Sequence, residues 1–143
     1  MKIRNIGIIG FGNMGSAIGE QLKAKYQILV FDRDKNRTQN LSGINIANDA
    51  VDLTNKADLI VLAVKPQDFG KVLPEIKGHV KEKLIVSIAA GIPTAYIEKI
   101  FNKTKVIRVM PNLAAKIGKG MICLSSGKYA DEYDLYCVQE IFD

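Results

Sequence analysis

The sequence predicts an α/β domain in which a doubly wound, mainly parallel sheet carries helices on both of its faces. Two observations lead to this fold class. Short apolar runs, of the kind found in buried parallel strands, alternate with helical segments of about ten residues. The first apolar run leads directly into a cluster of glycines and then into a helical pattern. Such alternation is typical of βαβ units that share one sheet.

Each predicted element rests on a local pattern. Strands are predicted at residues 3–9, 27–31, 44–47, 58–64, 84–89, 105–110 and 120–124. Helices are predicted at residues 13–25, 35–41, 49–55, 69–76, 94–101 and 131–142. The first strand is almost continuously apolar, and Met14, Ile18 and Leu22 recur at helical spacing in the first helix. Pro66 and Pro111 are each expected to end strand pairing.

Composition favours one globular domain over residues 1–143, because 48% of the residues are hydrophobic and 24% are charged. The net charge is +5, but the basic residues are scattered along the chain. The densest group, Arg33, Lys35 and Arg37, alternates with acidic residues. We therefore expect no nucleic-acid partner, and interpret this group as a solvated surface or as a site for an anionic cofactor.

Several classes of protein are excluded by single features. Cys123 and Cys137 lack the spacing of metal ligands, so we expect reduced thiols and a cytoplasmic protein. His79 is the only histidine and stands in a polar stretch, which argues against a metal site and against a histidine-based catalytic triad. No apolar run is long enough to span a membrane, and the N-terminus does not resemble a signal peptide.

The glycine cluster carries the clearest functional signal. Gly10, Gly12 and Gly15 form a GxGxxG motif between the first predicted strand and the first predicted helix, which is the arrangement of Rossmann-like dinucleotide-binding domains. The first glycine permits a tight turn, the second lets the backbone approach a pyrophosphate, and the third allows the helix to pack on the strand. A glycine-rich turn without a ligand is the simpler alternative, but the position of this motif favours dinucleotide binding.

Two neighbouring residues after the second predicted strand favour different cofactors. Asp32 lies 22 residues after Gly10, where an acidic residue holds the ribose hydroxyls of NAD. Arg33 follows at once, and a guanidinium suits the 2′-phosphate of NADP. Either Arg33 binds the adenosine end while Asp32 turns away, or Asp32 holds the ribose and Arg33 is a surface residue. We expect NADP(H) to be favoured, with NAD(H) possible.

Four motifs together resemble one enzyme family. GFGNMG, AVKPQ, SIAAGI and RVMPN begin at residues 10, 63, 87 and 108, at or near the predicted carboxyl ends of strands. In this order and spacing they are similar to the nucleotide-binding half of pyrroline-5-carboxylate reductases. The resemblance implies an oxidoreductase of proline biosynthesis that transfers a hydride from NAD(P)H to a cyclic imine. It also implies a homo-oligomer for the full-length family, and leaves the oligomeric state of this chain open.

The resemblance assigns cofactor contacts to four groups of residues. The loop that includes Ile9, Gly10, Phe11, Gly12, Asn13 and Met14 would hold the pyrophosphate. The residues Ala63, Val64, Lys65 and Pro66 would line the ribose and nicotinamide side, and Ala89, Ala90 and Gly91 would pass beside the nicotinamide. The residues Met110, Pro111 and Asn112 would separate cofactor from substrate. With Asp32 and Arg33, these residues form the predicted site.

One part of the family pattern is missing from these 143 residues. The family's helical second half, with an SGSGPAY-like segment for the substrate and the dimer contacts, has no counterpart here. We therefore expect either a fragment or a stand-alone domain, inactive alone, and assign no catalytic residue. Other readings stay open: a relative such as an F420-dependent NADP reductase or a 3-hydroxyacid dehydrogenase, or a regulatory nucleotide-binding module without chemistry.

Overall fold

The computed structural model describes residues 2–111 and 121–142, apart from the side chains of residues 111 and 121–124. Strands and α-helices follow in the order β1 (Asn5–Ile9), α1 (Asn13–Leu22), β2 (Gln27–Phe31), β3 (Asn45–Ile46), α2 (Ala50–Lys56), β4 (Leu59–Leu62), α3 (Phe69–Ile76), β5 (Leu84–Ser87), α4 (Thr94–Phe101), β6 (Lys105–Pro111), β7 (Met121–Ser126) and α5 (Glu132–Phe142). Short 3-10 helices cover Lys35–Thr38, Pro66–Asp68 and Lys77–His79.

The seven strands form one sheet in the order β3-β2-β1-β4-β5-β6-β7. All neighbours are parallel except β6 and β7, which pair antiparallel. The order reverses direction at β1, because β2 lies on one side of it and β4 on the other. In open sheets of this kind, ligands bind at the carboxyl ends of the strands beside such a reversal. The topology therefore directs attention to the loop that follows β1.

Helices cover both faces of the sheet, and each face has its own apolar core. Ile6 and Ile8 of β1 belong to a core with residues of α1 and α5, whereas Ile9 packs with residues of α2, α3 and α4. This alternation follows from the two-residue period of a strand. Because both faces are covered, the central strands are apolar throughout, as in LIVL of β4 and LIVS of β5. The predicted doubly wound fold is thus confirmed.

The observed elements differ from the sequence prediction in two informative places. The prediction that Pro111 ends strand pairing is wrong: β6 includes Pro111, and its register partner is Met121 of β7. An irregularity between Val109 and Pro111 accommodates the residue, since a proline that cannot donate to the ladder is tolerated at a bulge. The helix predicted at 35–41 is a single 3-10 turn, which Asp34 begins by accepting a hydrogen bond from the Asn36 N–H.

Three further features of the described residues concern the sequence predictions. Within the ranges given above, no helix is both long and apolar enough to cross a membrane. The same residues hold no group of three side chains suited to binding a metal ion. Cys137 is a free thiol.

Candidate cofactor-binding site

A cleft of about 940 Å³ opens at the carboxyl ends of β1, β2 and β4. This volume is in the range of cavities that hold cofactor-sized ligands. The cleft is lined by the loop after β1, the turn after β2, and the segment that joins β4 to α3. Its principal lining residues are Ile9, Gly10, Phe11, Gly12, Asn13, Met14, Asp32, Arg33, Asp34, Arg37, Ala63, Val64, Lys65, Gln67 and Asp68.

Two glycines of the GxGxxG motif, one in the loop and one in α1, are required by the packing around them. Gly10 has φ +96°, in the region that favours glycine, and a Cβ there would lie 2.8 Å from the backbone carbonyl of Ala63. A Cβ on Gly15 would overlap the carbonyl oxygen of Gly10. The Gly10 N–H donates to Phe31 O at 2.8 Å. The loop is therefore fixed between β2 and β4, and α1 packs directly against it.

Gly12 differs from its neighbours because the space beside it is open to the cleft. Among the described residues, a Cβ on Gly12 would meet only the guanidinium tip of Arg37 within 4 Å. Gly12 is also the N-cap of α1, with no capping side chain and no acidic residue in the first helical turn. The first N–H groups of a helix lack intrahelical partners and carry partial positive charge. The loop thus fits a pyrophosphate, which needs close backbone approach and these N–H donors.

Phe11 lines the cleft, although its side chain is buried. Its ring belongs to the core beneath α1, where it would contact a Cβ added at Gly19. Its N–H donates to Asp32 Oδ2 at 2.7 Å, and the Asp34 N–H donates to Asp32 Oδ1 at 2.8 Å. Both carboxylate oxygens of Asp32 are therefore engaged with backbone, and Asp32 holds the glycine loop against the turn after β2.

Two arginines, Arg33 and Arg37, line this cleft. Arg33 Nη2 lies 3.4 Å from Asp68 Oδ1. Arg37 Nη1 lies 3.6 Å from Asp32 Oδ2, and its Nε lies 3.7 Å from Asp34 Oδ2. In the sequence Arg37 belongs to a charged group without an assigned contact, but its guanidinium lies beside Gly12 at the centre of the loop. Lys35, from the same group, does not line the cleft.

The other predicted site residues that the structure describes follow or end strands at the same edge of the sheet. Ala63, Val64 and Lys65 line the cleft directly, and Pro66 begins the 3-10 helix that follows them. The residues predicted beside the nicotinamide are Ala89, Ala90 and Gly91. They follow β5, which ends at Ser87, and lie outside the lining of this cleft. Met110 and Pro111 end β6 at that edge, also outside the lining, and Asn112 is outside the described residues. The roles of these strand ends stay predictions.

The chain matches a protein-family model over residues 5–91, which is more than half of its length. The description of that family is NADP oxidoreductase, coenzyme F420-dependent. The chain belongs to this family. The matched part runs from β1 to the residues after β5, so it includes the glycine loop, both arginines and every strand that borders the cleft.

Pyrroline-5-carboxylate reductases align with nearly the whole chain, including the part after residue 91 that the family model does not cover. The enzyme of Methanosarcina acetivorans is 36% identical over an alignment that covers 99% of this chain and 56% of the relative. Solved structures of the enzymes from Plasmodium falciparum and Coxiella burnetii superpose with TM-scores of 0.86 and 0.87, at 28% and 29% identity, and cover 99% of this chain. The shares of those two chains are 54% and 56%. The chain therefore spans about half the length of these relatives, and the resemblance predicted from the four motifs is confirmed.

Proposed function

We propose that this chain is the NADP(H)-binding domain of a pyrroline-5-carboxylate reductase, which reduces 1-pyrroline-5-carboxylate to proline. The main observation behind this proposal is the GxGxxG motif. The space beside Gly12 is open to the cleft, whereas Gly10 and Gly15 are tightly packed against neighbouring backbone. Support comes from the relatives, because the similar Plasmodium falciparum structure was solved with NADP bound. The two arginines at the adenosine end supply the charge that a 2′-phosphate requires.

Each part of the cleft has a distinct task in this proposal. The N-terminus of α1 and the backbone of the loop bind the pyrophosphate, and Asp32 holds that backbone in position. Arg33 and Arg37 bind the 2′-phosphate. The segment Ala63–Pro66, with the strand ends Ala89–Gly91 and Met110–Asn112, borders the ribose and the nicotinamide ring. The bound cofactor supplies the hydride, and the protein's contribution is to orient it and to exclude water.

The proposal also concerns where the imine substrate binds. We assign one wall of the substrate pocket to Met110–Asn112. We assign substrate binding and the proton donor to the part of the relatives that lies beyond this alignment. Residues 1–143 then form one dinucleotide-binding domain of a larger, homo-oligomeric enzyme. We propose a cytoplasmic location, where a thiol such as that of Cys137 stays reduced. We propose no nucleic-acid partner, because the basic residues are scattered along the chain.

If this chain binds only the cofactor and the substrate site lies elsewhere, the 143-residue chain alone should reduce the imine at least about a thousandfold more slowly than a full-length relative. The reason is that near-attack positioning of donor and acceptor supplies a large part of the rate, and only the donor site is present. The measurement is loss of NADPH absorbance with 1-pyrroline-5-carboxylate, beside the full-length enzyme. Comparable turnover would show that the acceptor site is complete within this chain.

Replacing Arg33 by alanine is expected to weaken NADPH binding by about tenfold or more, because a charge-assisted contact to the 2′-phosphate is lost. NADH binding should change by less than about threefold. Calorimetric titration with both cofactors measures this, and Lys35→Ala is the matched control, since Lys35 lies on the same turn but does not line the cleft. If Arg33→Ala weakened NADPH and NADH binding equally, Asp32 and not Arg33 would determine the preference between the two cofactors.

A second function is favoured by the family description, which refers to coenzyme F420-dependent oxidoreduction of NADP. The same cofactor cleft serves both reactions, so the two candidates differ in the second substrate alone. A full-length protein that contains this chain is expected to oxidise NADPH with the imine and not with F420. Turnover with F420 and none with the imine would reverse the order of the two candidates.

A further inference from the structure

The two arginines of the cleft are both paired with carboxylates of this chain. Arg33 contacts Asp68 at 3.4 Å, and Arg37 contacts Asp32 and Asp34 at 3.6 and 3.7 Å. All five side chains belong to residues that line the cleft. A phosphate that binds either guanidinium therefore meets a carboxylate that is already in contact with it, and two anions at one cation repel each other.

The Arg33–Asp68 pair joins opposite sides of the cleft. Arg33 lies in the turn after β2, and Asp68 ends the 3-10 helix that follows β4. In the sheet, β1 stands between these two strands, and the glycine loop follows β1. The ion pair therefore links the two flanks of the loop at the adenosine end, where an incoming cofactor must place its 2′-phosphate.

Asp68 differs from Asp32 and Asp34 because, among the described residues, its carboxylate accepts no hydrogen bond from a backbone N–H group. Asp32 and Asp34 accept hydrogen bonds from backbone N–H groups, so they also hold local structure. Asp68 precedes α3 but its side chain does not cap that helix. Among the described residues, Arg33 is its only side-chain partner, and the pair is exposed on the Arg33 side (59%) and partly buried on the Asp68 side (35%).

We infer that Asp68 is a specificity-determining residue whose carboxylate competes with the cofactor 2′-phosphate for Arg33. The inference rests on the proposed NADP(H) function. NADPH must displace Asp68 from the guanidinium or bind beside its negative charge, whereas NADH carries no phosphate at this position. Asp68 thus lowers the preference of the cleft for NADPH over NADH without contributing to the pyrophosphate site.

The test is the Asp68→Asn variant, which keeps the side-chain volume and removes the charge. NADPH should bind roughly threefold to fivefold more tightly than to the parent, the range set by exposed ion pairs, and NADH affinity should stay the same. Calorimetric titration of both cofactors gives the two dissociation constants. The gain for NADPH should narrow at high ionic strength, because salt screens an exposed carboxylate.

Two comparisons separate this effect from a general change of charge or structure. Glu82→Gln removes the same charge from an exposed residue before the start of β5, at the opposite edge of the sheet, and should leave the ratio of the two affinities unchanged. In an Arg33→Ala background, Asp68→Asn should raise NADPH affinity less than it does in the parent, because the competition acts through Arg33.

The possible outcomes are distinct. Weaker binding of both cofactors by Asp68→Asn would mean that the carboxylate contacts the adenosine, which overturns the inference. An unchanged ratio of affinities, or the same gain with Glu82→Gln, would also overturn it while the proposed function stands. A parent chain that binds neither cofactor would overturn the proposed function and this inference together.

Discussion

Replacing Gly12 by valine is expected to weaken NADPH binding by more than about a hundredfold while the chain keeps its fold. The side chain would stand where the pyrophosphate approaches the backbone, and relieving such an overlap costs up to ~3 kcal/mol. In the part of the chain that the structure describes, the only group near a Cβ at this position is the flexible tip of Arg37, at 3.3 Å. Stability should fall by no more than about 1 kcal/mol, from the poorer N-cap.

Calorimetric titration and urea denaturation of the same preparations separate these two effects. Gly78→Val is the matched control, because Gly78 lies in a 3-10 helix with open space around it and outside the cleft. This control should bind NADPH as the parent does. If Gly12→Val binds with parental affinity, the pyrophosphate does not lie on this loop.

Replacing Gly15 by alanine is expected to damage the site by a different route. Its Cβ would overlap the carbonyl oxygen of Gly10 and would lie 3.3 Å from the Cβ of Ala63. Because the obstacle is backbone, α1 must move away from the loop. We expect a loss of roughly 1–3 kcal/mol in the free energy of unfolding, together with weaker cofactor binding.

Gly70→Ala provides a control with the same chemical change in a helix. Gly70 is the second residue of α3, and no described residue lies within 4 Å of a Cβ added there. Alanine should therefore stabilise the chain by up to about 0.5–1 kcal/mol through helix propensity. Urea denaturation of both variants measures the difference. Changes of the same sign in the two variants would contradict the packing assigned to Gly15.

The fold was predictable because its strongest signals are local. Strand β2, helix α3 and helix α4 have the predicted boundaries, since each is a well-formed apolar pattern that ends at a polar residue, glycine or proline. The pairing of β6 with β7 was not predictable from β6 alone. The effect of Pro111 depends on a partner strand ten residues further along, and a local rule for proline does not include that partner.

The site was predictable where it depends on backbone and less so where it depends on side chains. The glycine spacing places the loop, and the loop lines the cleft as expected. Asp32 was identified as a residue of the site, but its hydrogen bond to the Phe11 N–H depends on how β1 and β2 end side by side. The contact between Arg33 and Asp68 joins residues 35 positions apart, and sequence spacing carries no signal for it.

The measurement that tests the central claim most directly is a titration of the ¹⁵N-labelled chain with NADPH, followed by amide NMR. If the chain is a dinucleotide-binding domain, the largest shifts should fall on the amides of residues 10–16, with further shifts at Arg33 and Ala63–Lys65. The amides that precede the strands, such as those of Asp58 and Lys83, should stay in place. Shifts confined to that opposite edge, or no shifts at saturating NADPH, would contradict the proposed function.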